Sequence, residues 1–460
     1  MAMDQSKQAQ RAALMGSGPL TPTILKMAMP SIISFLITSI YQLADTFFVS
    51  SIGTQATAAV SVNQSLDMLL LMIGSLLGVG SGSLISRLLG AKEPEKANRV
   101  LSTNFAIAAI VGCVMMIAGS IFIRPLVRLL GATSSCEQYA VDYASYVLYA
   151  APFMATSFVM NQCLRAEGSA MLSMIGMGFG GVLNCFLDPL FIFKFGLGVA
   201  GASMATAISK FISFCILIYP YLSGRSMLRI SLRHIVLDLK MMGEVMAIGS
   251  SSMLRTGLSI VSGIVLNKLA GAISDSVLAA MGVVTKIMMF PFGFVIGFGQ
   301  GFQPVAGFNW GAKQFDRVRE SFRIASRIAF WGAAAMGVVL ALFADPLIGL
   351  FTVSDAELMT IGSLSIRLQC VALPVHAWVA MVDMFCIATG RAKGALALST
   401  SRQGTCFLPI VFPIALVFGA VGIASVQAIA DCITLALAIP IRHRILRLID
   451  EAEQASLAEA

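Results

Sequence analysis

Apolar residues along this chain come in long, nearly unbroken runs. They show neither the alternation of half-buried strands nor the three-and-four spacing of surface helices. Read as helices, the runs fall at about 24–50, 57–85, 101–123, 138–162, 168–194, 197–222, 244–270, 277–307, 322–344, 358–390, 394–418 and 420–441. A run of about 20 apolar residues crosses the hydrocarbon core of a bilayer, so each is long enough to span it. The eighth and tenth are longer than a span needs and are expected to tilt or bend, with Pro291, Pro304 and Pro374 as candidate kinks. The pattern predicts an all-α integral membrane protein with twelve transmembrane helices.

Composition sharpens this reading. Of 460 residues, 57% are hydrophobic and 12% charged, and mean hydropathy is +0.86; a soluble chain is about a quarter charged. Length alone suggests roughly three soluble domains, and the apolar runs overrule it. The chain has no Gly-Lys dipeptide, hence no phosphate loop and no expected ATP motor of its own. Its nine cysteines form no C-x-x-C pair and sit mostly inside apolar runs, as small buried hydrophobes do. His234, His376 and His443 are far apart in sequence, and no nucleophile–base spacing presents itself, so an enzyme is not expected. The polar first 20 or so residues, with no small-residue cleavage site after the first run, do not read as a removed signal peptide.

Basic residues orient the spans. The two tails and the loops after even-numbered spans hold 22 of the 31 Lys+Arg, whereas the opposite loops hold only Arg124, Arg128, Lys194 and Lys268. Both termini are therefore expected on the cytoplasmic side of a bacterial plasma membrane. The net charge of +8 follows from this bias and is no evidence for nucleic-acid binding.

The two halves repeat at one offset. Gly90-Ala91-Lys92 recurs as Gly311-Ala312-Lys313, Ala58-Ala59 as Ala279-Ala280, and Gly198-x-x-Gly201 as Gly419-x-x-Gly422, each 221 residues on. Six spans per unit bring both halves into the membrane from the same side, a parallel repeat with the substrate path between halves. The expected organisation is a tail (1–23), an N-lobe of helices 1–6 (24–222), a basic linker (223–243), a C-lobe of helices 7–12 (244–441) and a C-terminal tail (442–460). The acids break the repeat, because Asp45 maps to Leu266 and Asp188 to Pro409.

A carboxylate near the bilayer centre costs at least about 2.5–3.5 kcal/mol, so each needs a reason. Ser34, Thr38, Tyr41/Gln42 and Asp45 line one face of span 1, and Asn184 and Asp188 one face of span 5, where Pro189 weakens the helix and frees a carbonyl. Asn161 in span 4 and Thr206 in span 6 can complete an oxygen-only cluster. Two carboxylates sharing a poorly hydrated pocket need a proton, or a hard cation such as sodium, which gives the pocket two charge states. The remaining intramembrane charges, Asp67, Asp383, Asp431, Lys210, Arg255, Lys286, Arg367 and Arg402, read as pairs across helices. Arg255 and Lys286 stand out in the half that lacks the acid pair, and the run Met288-Met289-Phe290-Pro291-Phe292 after Lys286 suits a pocket that repacks around varied ligands.

The chain resembles the MATE (multidrug and toxic compound extrusion) transporters over nearly its whole length. The resemblance rests on Leu43-Ala44-Asp45-Thr46-Phe47-Phe48-Val49 with Ser51-Ile52-Gly53, then Gly90-Ala91-Lys92 and Leu164-Arg165-Ala166-Glu167-Gly168. Leu183-Asn184-Cys185-Phe186-Leu187-Asp188-Pro189-Leu190-Phe191 and Gly198-Val199-Ala200-Gly201-Ala202 complete it. It implies twelve helices in two six-helix lobes and export of cationic or amphipathic drugs against inward sodium or protons. The family's N-lobe cation site falls on Asp45, Asn184, Asp188 and Thr206, with Asn161 nearby. Arg255 stands where some members carry an acid in span 7, and Arg402-Gln403 in span 11 places the chain closer to the bacterial MepA/DinF-like branch.

The expected function is thus a proton- or sodium-coupled antiporter working by alternating access. Asp45, Asn184, Asp188, Thr206 and Asn161 would carry the coupling; the first four would be metal ligands if sodium is the ion. Tyr41, Gln42, Arg255, Lys286, Met288, Met289 and Phe290 are the substrate candidates. No cofactor beyond the coupling ion is expected; the partners are membrane lipid and small amphipathic drugs, and the chain is expected to be monomeric. The rival is a flippase for a lipid-linked or other anionic amphiphile, with Arg255, Lys286 and Arg402 forming an anion cleft.

Overall fold

The computed structural model describes residues 10–134, 136–351 and 355–458, and Lys7 and the outermost ends of both tails lie outside them. The long helices are α1 (Leu20–Ser50), α2 (Thr54–Gly90), α3 (Pro94–Ile121), α4 (Glu137–Ala166), α5 (Ala170–Pro189) and α6 (Gly198–Leu222). The second half holds α7 (Leu239–Ile273), α8 (Asp275–Gly311), α9 (Phe315–Leu342), α10 (Ala356–Ala388), α11 (Ala392–Thr400) and α12 (Phe407–Ala458). Among the described residues eleven helical stretches are long and apolar enough to cross a membrane, and the last, Ala392–Ala458, is 67 residues long. That stretch makes two crossings, because Gly419 breaks α12 at φ 54°, ψ −130°. Twelve crossings result.

The faces turned outward show why these helices need lipid. On α3, Ile110, Val114, Ile117 and Ile121 follow one another at helical spacing and are 62%, 57%, 56% and 69% exposed. Such a stripe would be an aggregation liability in water and is the ordinary covering of a protein surface in a bilayer.

The repeat is visible in the backbone. Among the described residues Lys92 and Lys313, 221 apart, are the non-glycine residues in the left-handed region, at φ 60° and 55°. Each follows a helix end closed in the same way. Lys92 N–H donates to Leu89 O and Glu93 N–H to Leu88 O; Lys313 N–H donates to Trp310 O and Gln314 N–H to Asn309 O. These paired bonds satisfy the last helical carbonyls, which is what holds a lysine in a conformation otherwise costing about 1–2 kcal/mol. Gly198 and Gly419, also 221 apart, share φ 56° and 54°.

The lobes meet crosswise, α1 on α8 and α2 on α7. Glycines bring the backbones together: a Cβ on Gly90 would lie 2.0 Å from Phe308 O, and one on Gly311 1.9 Å from Arg87 O. Shifting both by 221 exchanges the two contacts, so the seam is self-complementary as a two-fold interface must be. It lies where α2 and α8 end, beside the basic loops, and buried Ile24, Ala28 and Ile248 pack there with Phe298 and Phe302 in one core shared by both halves. Towards the opposite end each half keeps a core of its own, around Val49, Leu66 and Tyr143 in one and Val277, Val284 and Ile348 in the other. The molecule is sealed at its basic end and parted at the other.

Candidate cation pocket and substrate cleft

The polar stripe of α1 leads into two adjoining cavities. A small one of about 90 Å³ lies inside the first half, lined by Thr38, Tyr41, Asn184, Thr206 and Lys210 among others. A large one of about 710 Å³ lies between the halves, lined by Ser34, Phe158, Arg165, Arg255, Phe292 and Asp383 among others. Thr38, Leu71, Phe158 and Met177 line both, so a single wall separates them. The first has room for water and a small ion, the second the size of a drug site.

Asn184 and Asp188, one turn apart on α5, face α6. The Asn184 amide donates from Nδ2 to Asp188 Oδ1 at 3.1 Å and to Thr206 Oγ1 at 3.2 Å. Asp188 is fully buried and Asn184 2% exposed. With the amide so engaged, Asn184 Oδ1, Asp188 Oδ2 and Asp45 Oδ1 are buried oxygens with no donor. Buried acceptors are almost always satisfied, so three together describe a place for a proton or a cation. The charge of Asp45 acts on Asp188 and that of Asp67 on Asp45. Lys210 balances Asp67 and donates from Nζ to the Tyr41 hydroxyl at 3.3 Å. Among the described residues neither Asp45 nor Asp188 has an ion-pair partner, and α5 gives way after Pro189 to a π-helical turn, Leu190–Lys194.

Asn161 stands apart from this cluster. Its amide donates to Ser173 O at 3.1 Å and Ser173 Oγ at 2.7 Å. Ser173 precedes Asn184 by eleven residues on α5, about 16 Å along the helix axis, and Asn161 lines the large cleft instead. No group of three His, Cys, Asp or Glu side chains suited to a metal occurs among the described residues. The donors on hand for sodium are two carboxylates with amide and hydroxyl oxygens, a hard-cation set.

In the second half the charges pair. Arg255 Nη1 lies 3.3 Å from Asp383 Oδ2, which also accepts from Ser399 Oγ at 2.9 Å. Arg402 Nε donates to Asp431 Oδ1 at 2.7 Å, and its guanidinium sits 4.4 Å over the Phe292 ring. Arg367 pairs with Asp345 at 2.7 Å. Of the substrate candidates, Arg255 lines the cleft and Tyr41 the small pocket, while Gln42 is half-buried outside both walls. Lys286, Met288, Met289 and Phe290 do not line the cleft: Lys286 is exposed, and Met288 is 1% exposed within the core of its own half. The cleft face of α8 runs Phe292, Ile296, Gln300 at four-residue spacing, and Lys286 and Phe290 point off it. Phe292, the last residue of the Met288–Phe292 run, does line the cleft, whereas His376, Gln300 and Arg165 are cleft residues that the sequence pattern left without a role there. Polar Asn161-Gln162 just before Arg165 in an apolar run was the available signal.

The sequence model of the MatE family matches residues 30–190 and again 251–415, the second match starting 221 residues after the first. The multidrug export protein MepA of Staphylococcus haemolyticus (strain JCSC1435) is 27% identical over 438 residues, covering 95% of this chain and 96% of that protein. Among solved structures, the outward-facing conformation of a multidrug resistance MATE family transporter of the MOP superfamily has a TM-score of 0.90 at 24% identity, over 96% of this chain and 99% of that one. A MOP superfamily transporter from Pyrococcus furiosus, described as having a binding pocket of reverse polarity, gives 0.88 at 25% identity over 95% and 98%. The sequence repeat, the crosswise lobes and the double match agree, and the chain belongs to the MatE family of membrane transporters.

Proposed function

We propose that this protein is a cation-coupled antiporter that exports amphipathic drugs, cationic ones included, by alternating access, with both termini in the cytoplasm. The observation that carries the proposal is the set of buried acceptor oxygens on Asn184, Asp188 and Asp45, of which Asn184 lines a small pocket that shares a wall with a drug-sized cleft. A proton or sodium ion supplies the missing partner and neutralises the pocket. Thr38, Leu71, Phe158 and Met177 then repack, and through them the cleft changes shape on its other face. Antiport needs only that the two ligands disfavour each other, and the disfavour is reciprocal. In the cleft, Phe35, Phe158 and Phe292 with Met68, Met177 and Met384 take the apolar body of varied drugs, and aromatic faces attract a cationic head.

The flippase reading finds less support. Arg255 and Arg402 are each tied to a carboxylate, and Lys286 lies outside the cleft. The test is ethidium transport by purified protein in liposomes under a sodium or a proton gradient, with Asp188→Asn beside the parent. Transport under one gradient, lost in the variant, supports the proposal and names the ion. A folded parent protein that moves no ethidium under either gradient sinks it.

A further inference from the structure

Among the described residues the cleft contains one arginine that the pairing just described leaves over. Arg165, near the end of α4, is 6% exposed and lines the large cavity. Arg255 and Arg402 each face an aspartate, but Arg165 has no ion pair or side-chain hydrogen bond among the described residues, and its Nε is buried without an acceptor. The nearest acid in sequence, Glu167, turns away, accepting from Ser169 Oγ, Ser226 Oγ and the Met227 N–H. The carbonyls ending α4 supply only about half a unit of negative charge. The Arg165 Nε is buried with no acceptor, and the rest of the fork borders the cleft with no protein partner among the described residues; a largely buried charge left without a partner is costly. At 6% exposure the side chain cannot snorkel into solvent as surface arginines do. Its fork fits a planar carboxylate, bound through two parallel N–H···O bonds. The aromatic and methionine wall that begins at Phe158 is continuous with it.

We propose that Arg165 is the anion-binding element of the cleft, so that the transporter takes amphiphiles carrying a carboxylate, anionic or zwitterionic, with the guanidinium holding the carboxylate at the sealed end and the apolar body lying along the wall. This inference rests on the cleft being the substrate path and assigns the side chain that reads a substrate's carboxylate.

The test uses two isosteric probes, 1-pyrenebutyrate and its amide, which differ only in the anionic group. Binding is measured by equilibrium dialysis to the full chain in lipid nanodiscs, corrected for empty discs, with ethidium as a third ligand. The parent is expected to bind the carboxylate at least tenfold more tightly than the amide. Arg165→Gln should bring the two together by weakening the carboxylate alone, with ethidium, a cation, not weakened. Arg165→Lys should retain part of the preference. Equal binding of the two probes by the parent, or a preference that survives in Arg165→Gln, overturns the proposal.

Should Arg165→Gln not fold, protection of the parent decides: 1-pyrenebutyrate, and not the amide, should slow phenylglyoxal modification of Arg165 as read by mass spectrometry. An unchanged rate overturns the proposal. A preference seen in phosphatidylcholine discs but abolished in phosphatidylglycerol discs would hand the guanidinium to lipid phosphate and overturn it as well. Because ethidium lacks the anionic group, its gradient-driven transport reports on the exporter reading independently.

Discussion

Replacing Gly249 by alanine tests whether the sealed end is one state of a two-state machine. A Cβ there would lie 1.7 Å from Leu76 O, whereas ordinary contacts begin at about 3.4 Å. The obstacle is a backbone carbonyl of α2, not a flexible side chain, so relief requires α7 and α2 to separate by about 1.7 Å along that line. Overpacking of this kind costs about 1–3 kcal/mol. Since 1.4 kcal/mol is tenfold in an equilibrium, the sealed state should lose roughly 5- to 150-fold in relative population. Spin labels replacing Lys96 and Lys393, both exposed and on opposite halves at the basic end, report the gap by pulsed electron spin resonance. Gly249→Ala should populate a longer distance. Gly263→Ala, on the same helix with nothing within 4 Å of its Cβ, should reproduce the parent distribution. Indistinguishable distributions for Gly249→Ala and the parent, with helix content intact, would refute the claim that glycine contacts hold the seal.

Asp355 caps α10, its Oδ1 accepting from the Leu358 N–H at 3.0 Å. That bond, with the Ser276 hydroxyl, holds its carboxyl below the usual range. A folded-state value below the unfolded one means the stabilisation is present above about pH 4 and fades as pH falls through the folded value; Asp355→Ala should lower the Tm at pH 7 by removing the cap, and thermal melting between pH 3 and 7 should show the gap between parent and variant closing at the acid end. Gly419→Ala places a side chain at φ 54° and should lower stability by about 1–2 kcal/mol, seen as a lower Tm; an unchanged Tm contradicts the break assigned there. Asp383→Leu strands Arg255, whose side chain is 30% exposed, so the loss should fall near 2 kcal/mol, below the 3–5 of a fully buried pair. Adding Arg255→Met should recover most of it in the same melts, and a double variant no better than the single would contradict the pairing.

Much of the architecture was legible because the bilayer forces it. Apolar runs that must satisfy their own backbone can only be helices, and the 221-residue offset read from three short motifs returns as matching φ angles at Lys92 and Lys313. The break at Gly419 was readable as the gap between the last two runs. Of the residues selected by the cost of polar groups in lipid, Asn184 and Thr206 line the small pocket, while Asp188 is bonded to Asn184 and Asp45 acts on Asp188 through its charge without either acid lining a cavity. Asn161 was misplaced because that argument says which residues are polar but not their depth; its amide meets Ser173, about three turns from Asn184. The substrate face of α8 is only partly legible, through Phe292, for a related reason. A Met-Phe run looks like a pocket wall on composition, but only the helix orientation decides that Phe292 and Gln300 face the cleft while Phe290 does not. In sequence Arg165 reads as one of the cytoplasmic-side basic residues and as part of a family motif; its isolation follows from which acids the other arginines take.

The most direct test of coupling is ion release on drug binding. Ethidium is titrated into protein held in nanodiscs at weakly buffered pH, with a pH indicator reporting protons and radioactive sodium reporting displaced sodium. The account predicts that ethidium binding releases one of the two ions from the parent, and that Asp188→Asn binds ethidium with no release. Ethidium binding to the parent with neither proton nor sodium release would contradict it.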